Sequence, residues 1–207
     1  MAFQITWAIS DRTWERAVEG WLRHRWDDDH GANAGFYYLI DRVQICADGT
    51  VLFPADLLRG LSLRVRATRR SEGKRDPLPE LPPLEVFERG YPISLIDFAA
   101  TLAHLLGGIA VDPEGTSYRF RGDEGCQYLI FTKTTDGIEI SSSVFPEIVV
   151  NTHLDDFLHG TREFLLGLAS EIEQRAPELF DWKALAPLRD YRDKMLQQSK
   201  VELNKPT

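Results

Sequence analysis

The sequence lacks the short motifs that identify several large classes of enzyme. It contains no Gly-x-x-x-x-Gly-Lys-[Ser/Thr] phosphate loop, no Gly-x-Gly-x-x-Gly after a strand pattern, no Gly-x-Ser-x-Gly and no His-Glu-x-x-His. P-loop nucleotide hydrolases, dinucleotide-dependent enzymes, α/β-hydrolases and zinc proteases of these types are therefore disfavoured. No other pattern indicates a metal or cofactor site, so we expect neither a metal ion nor a cofactor.

Long apolar runs and cysteines are also scarce. No run approaches the roughly 18–20 apolar residues of a membrane span, and the N-terminal Met-Ala-Phe-Gln lacks the basic and apolar regions of a signal peptide. We therefore expect a cytoplasmic protein that does not enter a membrane. The two cysteines, Cys46 and Cys126, lie far apart at or inside apolar strand patterns, without a Cys-x-x-Cys spacing. We interpret them as buried thiols and not as a redox pair.

The chain has no excess of basic residues, since its net charge at pH 7 is −8. Affinity for phosphate backbones depends on cationic side chains, so this charge argues against general nucleic-acid binding. The charges are also unevenly distributed. Residues 59–75 carry seven Arg or Lys against one Asp or Glu, whereas residues 104–181 carry five against fourteen. The sequence therefore predicts a surface with one basic and one acidic region.

The first third of the chain alternates apolar and polar residues in several places. Residues 3–9 predict a half-buried strand, and Ser10 is placed to cap the helix that follows. Residues 35–45 and 50–53 are rich in aromatic and β-branched side chains. They flank an Asp-Gly pair at 48–49, which is typical of a two-residue hairpin turn.

Two further strands are predicted before the middle of the chain. Residues 61–68 alternate strictly and would form a strand with a basic outer face, and residues 84–91 would form its neighbour. The prolines and charges between them, at 71–83, predict an exposed loop. Ser94 is then placed to cap a helix that stops at the glycines 107–108.

A three-strand meander is the clearest feature of the second half. Residues 117–121 and 137–141 alternate, whereas residues 127–132 are apolar at successive positions, which predicts a central strand covered on both faces. Short polar turns containing glycine join the three strands, at residues 122–125 and 135–137.

A long amphipathic helix follows the meander, over residues 154–176. Thr152 and Asp155 form a weak capping box at its start, and Pro177 ends it. We expect its apolar face to pack on the strand at 127–132. The residues of that face that should be nearly fully buried are Leu158, Leu165, Leu168 and Ile172.

The order of predicted elements places the chain in the α+β class. Strands and helices do not alternate strictly, so we expect an antiparallel or mixed sheet of hairpins and meander, covered by amphipathic helices and ending in a helical pair. Residues 1–199 would form one domain, and residues 200–207 a frayed tail. The last helix, at 182–199, has a thin apolar stripe, which leaves two alternatives open, a monomer or a homodimer formed through this helix.

Two groups of residues support an enzymatic interpretation. Asp155 and His159 are four residues apart on a helix and can face each other, as an acid and base of a small hydrolase-type enzyme would. The run Asp-Asp-Asp-His at 27–30 also offers carboxylates and an imidazole. Consecutive residues point in divergent directions, however, and the glycine of a calcium loop is missing, so a solvated acidic loop is favoured there.

The acidic half of the chain supports a different interpretation, a protein-binding module. The layout of elements, together with the acidic charge, resembles the acidic α+β immunity proteins that bacteria keep against their own toxins. The resemblance is one of layout and covers no specific residues; it implies a basic protein partner. The residues expected to contact that partner are Asp123, Glu124, Asp155, Asp156 and Glu163.

Overall fold

The computed structural model describes residues 3–24, 39–71, 80–121, 128–181 and 183–203. These residues form two four-stranded antiparallel sheets packed with helices, which confirms the α+β class. The first sheet contains β1 (Gln4–Ala8), β2 (Ile40–Ala47), β3 (Thr50–Val51) and β4 (Tyr91–Ser94). The second contains β5 (Ser117–Arg121), β6 (Tyr128–Lys133), β7 (Gly137–Ser142) and β8 (Val149–His153).

Strand β2 is the centre of the first sheet. Strand β1 pairs along one of its edges, while β4 and β3 share the other edge, β4 at residues 40–43 and β3 at residues 46–47. The turn between β2 and β3 places Asp48 and Gly49 at positive φ, 48° and 83°. An Asp-Gly pair accepts this backbone easily, so the predicted first strand and hairpin are both confirmed.

The second sheet is a meander in the order β5-β6-β7-β8. One face points into the core, with these side chains buried: Phe120, Leu129, Phe131, Ile138, Ile140 and Val150. On the other face Tyr128, Ile130 and Thr132 of β6 are only half-buried. The prediction that this strand is covered on both faces is therefore wrong. Strand β8 is not predicted by the sequence, because its two valines are followed at once by polar residues.

Two predicted strands are helices. Residues 61–68 lie inside α2 (Ala55–Ser71), and residues 84–88 form the short helix α3 (Leu84–Glu88) before the chain enters β4. The alternation of apolar residues in α2 coincides with helical spacing, since Leu58, Leu61 and Val65 also recur at steps of three and four. Leucine and arginine favour helix, and no neighbouring strand imposes the extended form.

Gly90 makes the sharp entry into β4 possible. Its φ is +97°, and a Cβ atom there would lie 2.0 Å from the carbonyl oxygen of Val43. Only glycine fits this conformation and this contact. The next helix, α4 (Leu95–Gly108), begins as predicted, because Ser94 Oγ accepts a hydrogen bond from the backbone N–H of Asp97.

The long helix α5 (Leu154–Arg175) lies against both sheets. The Phe157 ring contacts Phe3, which precedes β1, with ring centroids 5.2 Å apart, and Phe131 of β6, with ring centroids 6.0 Å apart. Leu165, Leu168 and Ile172 are fully buried, as predicted, whereas Leu158 is only half-buried. The strands that α5 mainly packs on are β1, β7 and β8. The contact with β6 is made by Phe157 on Phe131 and not by the four predicted residues, so the predicted packing partner is wrong.

The predicted cap of α5 is wrong. The N-cap residue is His153, which makes no side-chain capping bond, and Thr152 lies in β8 opposite Ile138 of β7. Thr152 therefore pairs within the sheet and does not cap the helix, although the capping pattern indicates it. At the other end, the backbone N–H of Ala176 donates to Ile172, and Pro177 starts a 3-10 helix, so the helix ends where it was expected to end.

The observed boundaries of the C-terminal helix differ from the predicted ones. Two 3-10 helices, Pro177–Asp181 and Lys183–Leu185, precede α6 (Ala186–Leu203). The predicted helix thus starts later than residue 182, and it continues through residues 200–203, which were expected to fray. Helix α6 packs on α4 and α5, while α1 (Asp11–His24) contacts the first 3-10 helix. The buried side chains of both sheets and of these helices form one cluster.

Several predicted features lie outside the described residues. These are the acidic run at 27–30, residues 72–79 of the predicted exposed loop, and the side chains of Asp123, Glu124 and Cys126. Cys46 is described and is half-buried on β2, where burial raises the pKa of its thiol. Within the described part of the chain, none of the helices combines the length and apolar composition that crossing a membrane requires.

Candidate functional site

Helix α5 presents an exposed acidic face. Its apolar side is packed against the sheets, so Asp155, Asp156 and Glu163 point to solvent. Asp155 and Asp156 lie in the first turn, where the positive end of the helix dipole stabilises negative charge. We call these three residues the α5 acidic face.

The structure pairs His159 with Glu163. His159 Nε2 lies 3.3 Å from Glu163 Oε1, and the two side chains are 69% and 67% exposed. The acid in contact with this histidine is thus one turn after it, whereas Asp155, the predicted partner, is one turn before it. A pair so open to solvent is worth little energetically, and no packing holds the imidazole in a fixed orientation as a general base requires.

An open groove of about 360 Å³ lies beside the start of α5. Turns and strand ends from both sheets meet there. The residues that line it are Asp48, Thr134, Asp136, Gly137, Ile138, Asn151, Thr152 and His153. We call it the acidic groove.

Local hydrogen bonds hold the turn that carries Asp136. The backbone N–H of Gly137 donates to Thr134 Oγ1 at 3.1 Å, and the N–H of Thr134 donates to the carbonyl of Gly137 at 2.9 Å. Asp136 itself is exposed at the tip of this turn. Asp48 occupies the corresponding tip of the β2–β3 hairpin, so both aspartates of the groove are carried by tight turns.

The charge of the groove has one sign. Among the described residues that line it are two carboxylates, and none of these residues is Lys or Arg. His153 joins it to the first turn of α5, where Asp155 and Asp156 follow. Carboxylates accept charge-assisted hydrogen bonds from guanidinium and ammonium groups, so a cationic side chain entering the groove can find acceptors there.

The groove is not a metal site of a usual kind. In the stretches that the structure covers, no three His, Cys, Asp or Glu side chains come close enough together to hold a metal ion. Because the groove is wide and open, it also cannot enclose most of the surface of a small ligand, as small-molecule pockets do.

Two other depressions in the surface are less suited to binding a charged partner or a small ligand. An open groove of about 380 Å³ lies between α4 and α6, but its charged side chains are of both signs, with His104, Asp190 and Lys194 along it. An apolar crevice between the two sheets has room for about 10 Å³ only, next to Phe53 and Tyr91, which is less than a small ligand needs.

The sequence does not predict the acidic groove. Both carboxylates belong to Asp-Gly turns that the sequence does identify, at 48–49 and 136–137. Nothing in the sequence indicates that the turns of two different sheets meet. Of the five predicted contact residues, three form the α5 acidic face beside the groove, and two lie outside the described residues.

Comparison of the chain with protein-family models, with curated proteins and with solved structures found no match.

Proposed function

We propose that this protein is a binding module that recognises a basic protein partner through the acidic groove and the α5 acidic face. One observation carries the proposal: an open groove whose described lining holds two carboxylates and neither Lys nor Arg, continued by an exposed acidic helix turn. Rigid, like-signed charges attract an oppositely charged surface over roughly 8–10 Å at physiological salt and so accelerate encounter.

The shape of the site favours a protein over a small molecule. A protein partner can bring several cationic side chains to an open surface at once, which compensates for the little area each one buries. Arginine suits the groove best, because its planar guanidinium can bond a carboxylate through two parallel hydrogen bonds. A basic surface with arginine at its centre is therefore the expected counterpart.

The layout resemblance to bacterial immunity proteins extends the proposal to the class of partner. A toxin that acts on nucleic acid carries a basic surface, and an acidic protein of the same cytoplasm can cover that surface and block it. In this proposal the protein acts by occupying its partner and needs no chemistry of its own.

Affinity capture from a native lysate tests the proposal. The wild-type protein, Asp136→Lys and Glu147→Lys are each immobilised at low salt, and the retained proteins are identified by mass spectrometry. Glu147 is an exposed acid in the connection at the opposite end of β7, so the control has the same charge change away from the groove.

The expected result is one basic protein retained by wild type and by Glu147→Lys, and lost or strongly reduced with Asp136→Lys. Circular dichroism confirms that each variant is folded. Equal retention of the same basic protein by both variants would place the contact elsewhere, and a retained protein that is itself acidic would contradict the proposal.

A further inference from the structure

Helix α2 is the most exposed helix of its length in the described part of the chain. Apart from Leu58, which is buried, the side chains of residues 55–69 are half-buried or exposed, and the main packing partner of α2 is the short helix α3. Leu63 and Val65 are 51% and 52% exposed. The two side chains point about 160° apart around the helix axis, so only one of them can belong to any given face of α2.

One side of α2 combines the exposed Leu63 with positive charge. At about 100° per residue, Arg59, Leu63, Arg64 and Ala67 fall within an arc of about 140°, and all four are exposed. Arg59 and Arg64 form no ion pair with any described residue. We call these four residues the basic helix face. The only acid of α2, Asp56, lies in its first turn.

The basic helix face and the acidic groove are complementary. The groove offers Asp136, which is exposed and forms no ion pair with the described residues, and the described part of its lining contains no Lys or Arg. The helix face offers two arginines beside a leucine and is held rigid by the helix. Each copy of the chain displays both surfaces, so any two copies can bring them together.

We propose that the basic helix face docks in the acidic groove of a second copy of this chain. The inference rests on the proposed function, because the basic helix face of the second copy would compete with the basic partner for the same groove. A basic partner would have to displace the helix of the second copy before it binds. Self-association therefore lowers the occupancy of the groove by weakly basic proteins and leaves it accessible to a strongly basic one.

The contact has a defined symmetry. The two surfaces differ, so the arrangement is head-to-tail, and each added copy leaves one free groove and one free helix face. The net charge of −8 on every copy opposes assembly, which keeps the association weak and reversible. Salt screens the attraction between arginine and carboxylate, so the assembly should dissociate as ionic strength rises.

A second copy explains the helix face better than a polyanion does. Nucleic acid and anionic lipid surfaces attract the arginines, but both repel the remainder of an acidic chain. The groove of a second copy supplies negative charge only where the helix face meets it.

Sedimentation velocity over a range of protein concentrations tests the proposal at about 20 mM and about 500 mM NaCl, where the Debye length falls from about 20 Å to about 4 Å. The wild-type sedimentation coefficient should rise with concentration at low salt and remain that of a monomer at high salt. The double variant Arg59→Glu/Arg64→Glu and the single variant Asp136→Lys should each remain monomeric in both buffers.

Matched controls have the same charge changes elsewhere. Arg12→Glu/Arg16→Glu alters two exposed arginines of α1 among alternating acids, and Glu147→Lys alters the opposite end of β7. Both controls should associate as wild type does. If they lose association to the same extent as the test variants, general repulsion is the cause and the proposal is overturned.

Mixing the two test variants gives the sharpest result. Arg59→Glu/Arg64→Glu keeps an intact groove and Asp136→Lys keeps an intact helix face, so together they should form a complex of one copy of each that grows no further. Absence of this complex while wild type associates would show that different surfaces meet.

A monomeric wild type at low salt that instead floats with vesicles containing phosphatidylserine would make α2 a membrane-surface helix and overturn the proposal.

The samples in these measurements contain only this protein and its variants, without a partner protein. A negative outcome therefore leaves the recognition of a basic partner unaffected, and a failure to capture any partner leaves the self-association measurable.

Discussion

At Gly160, helix α5 and strand β1 come so close that no side chain fits between them. A Cβ atom at this position would lie 2.5 Å from the carbonyl oxygen of Phe3, which is backbone and cannot turn aside. Gly160→Ala should therefore destabilise the protein by about 1–3 kcal/mol through overpacking, although alanine is the better helix former. Urea denaturation measures the difference.

Gly107 supplies the matched control for that substitution. It lies near the end of α4, and a Cβ atom there would meet nothing within 4 Å. Gly107→Ala should leave the free energy of unfolding unchanged or raise it by up to about 1 kcal/mol. Similar losses at both positions would show that the contact with Phe3 does not decide the effect.

The thiol of Cys46 gives a second test at the scale of single residues. Burial raises its pKa above the ordinary value, because the thiolate loses solvation on β2. In a Cys126→Ser variant, alkylation of the folded protein should require a higher pH than alkylation of the same protein in urea. The stabilising contribution of this thiol is complete below its unfolded pKa and is lost as pH rises toward its folded pKa. Identical pH profiles in both states would contradict this.

The helices and strands show where sequence patterns suffice and where they do not. Caps and hairpin turns act through adjacent residues, so Ser94 and the Asp-Gly turn at 48–49 were identified correctly. Alternation over a short stretch is ambiguous, because apolar residues at 58, 61 and 65 satisfy a helix as well as a strand. Pairing then decides, and α2 has no strand beside it. Thr152 was misassigned for the converse reason, since β7 pairs with it.

Helix α5 is the element whose burial is most consequential for stability. Leu165 is fully buried in the cluster that joins both sheets, so Leu165→Ala should cost about 2–5 kcal/mol through lost burial and the cavity left behind. Leu166, next to it and only half-buried, is the control and should lose less when changed to alanine. Chemical denaturation followed by circular dichroism measures both. A loss below about 1 kcal/mol at Leu165 would show that the helix packs elsewhere.

At the scale of the whole molecule, the sequence predicts the distribution of charge but not the position of the acidic groove. The basic and acidic regions can be counted along the chain. The structure places residues 59–71 of the basic region on α2 and part of the acidic region on α5. The groove depends instead on how two sheets meet, which no local pattern contains. The prediction of one domain over residues 1–199 is open to a direct check, because a single domain should unfold in one cooperative transition.

The two functional hypotheses separate at the α5 acidic face. If the protein is a binder, reversing Asp155, Asp156 and Glu163 to lysine should slow association with the captured basic partner by about tenfold or more, because steering by the exposed acids is lost. The wild-type rate should also fall as salt rises, and the rate of the reversed protein should depend much less on salt. Stopped-flow mixing measures both. His159→Ala should leave the rate unchanged, since this side chain is exposed and its partner among the described residues is Glu163. The hydrolase hypothesis makes the opposite prediction, in which Asp155→Asn or His159→Ala alone abolishes turnover while partner capture persists. If the reversed protein associates at the wild-type rate at both low and high salt, the acidic face has no part in recognition and only keeps the protein dispersed.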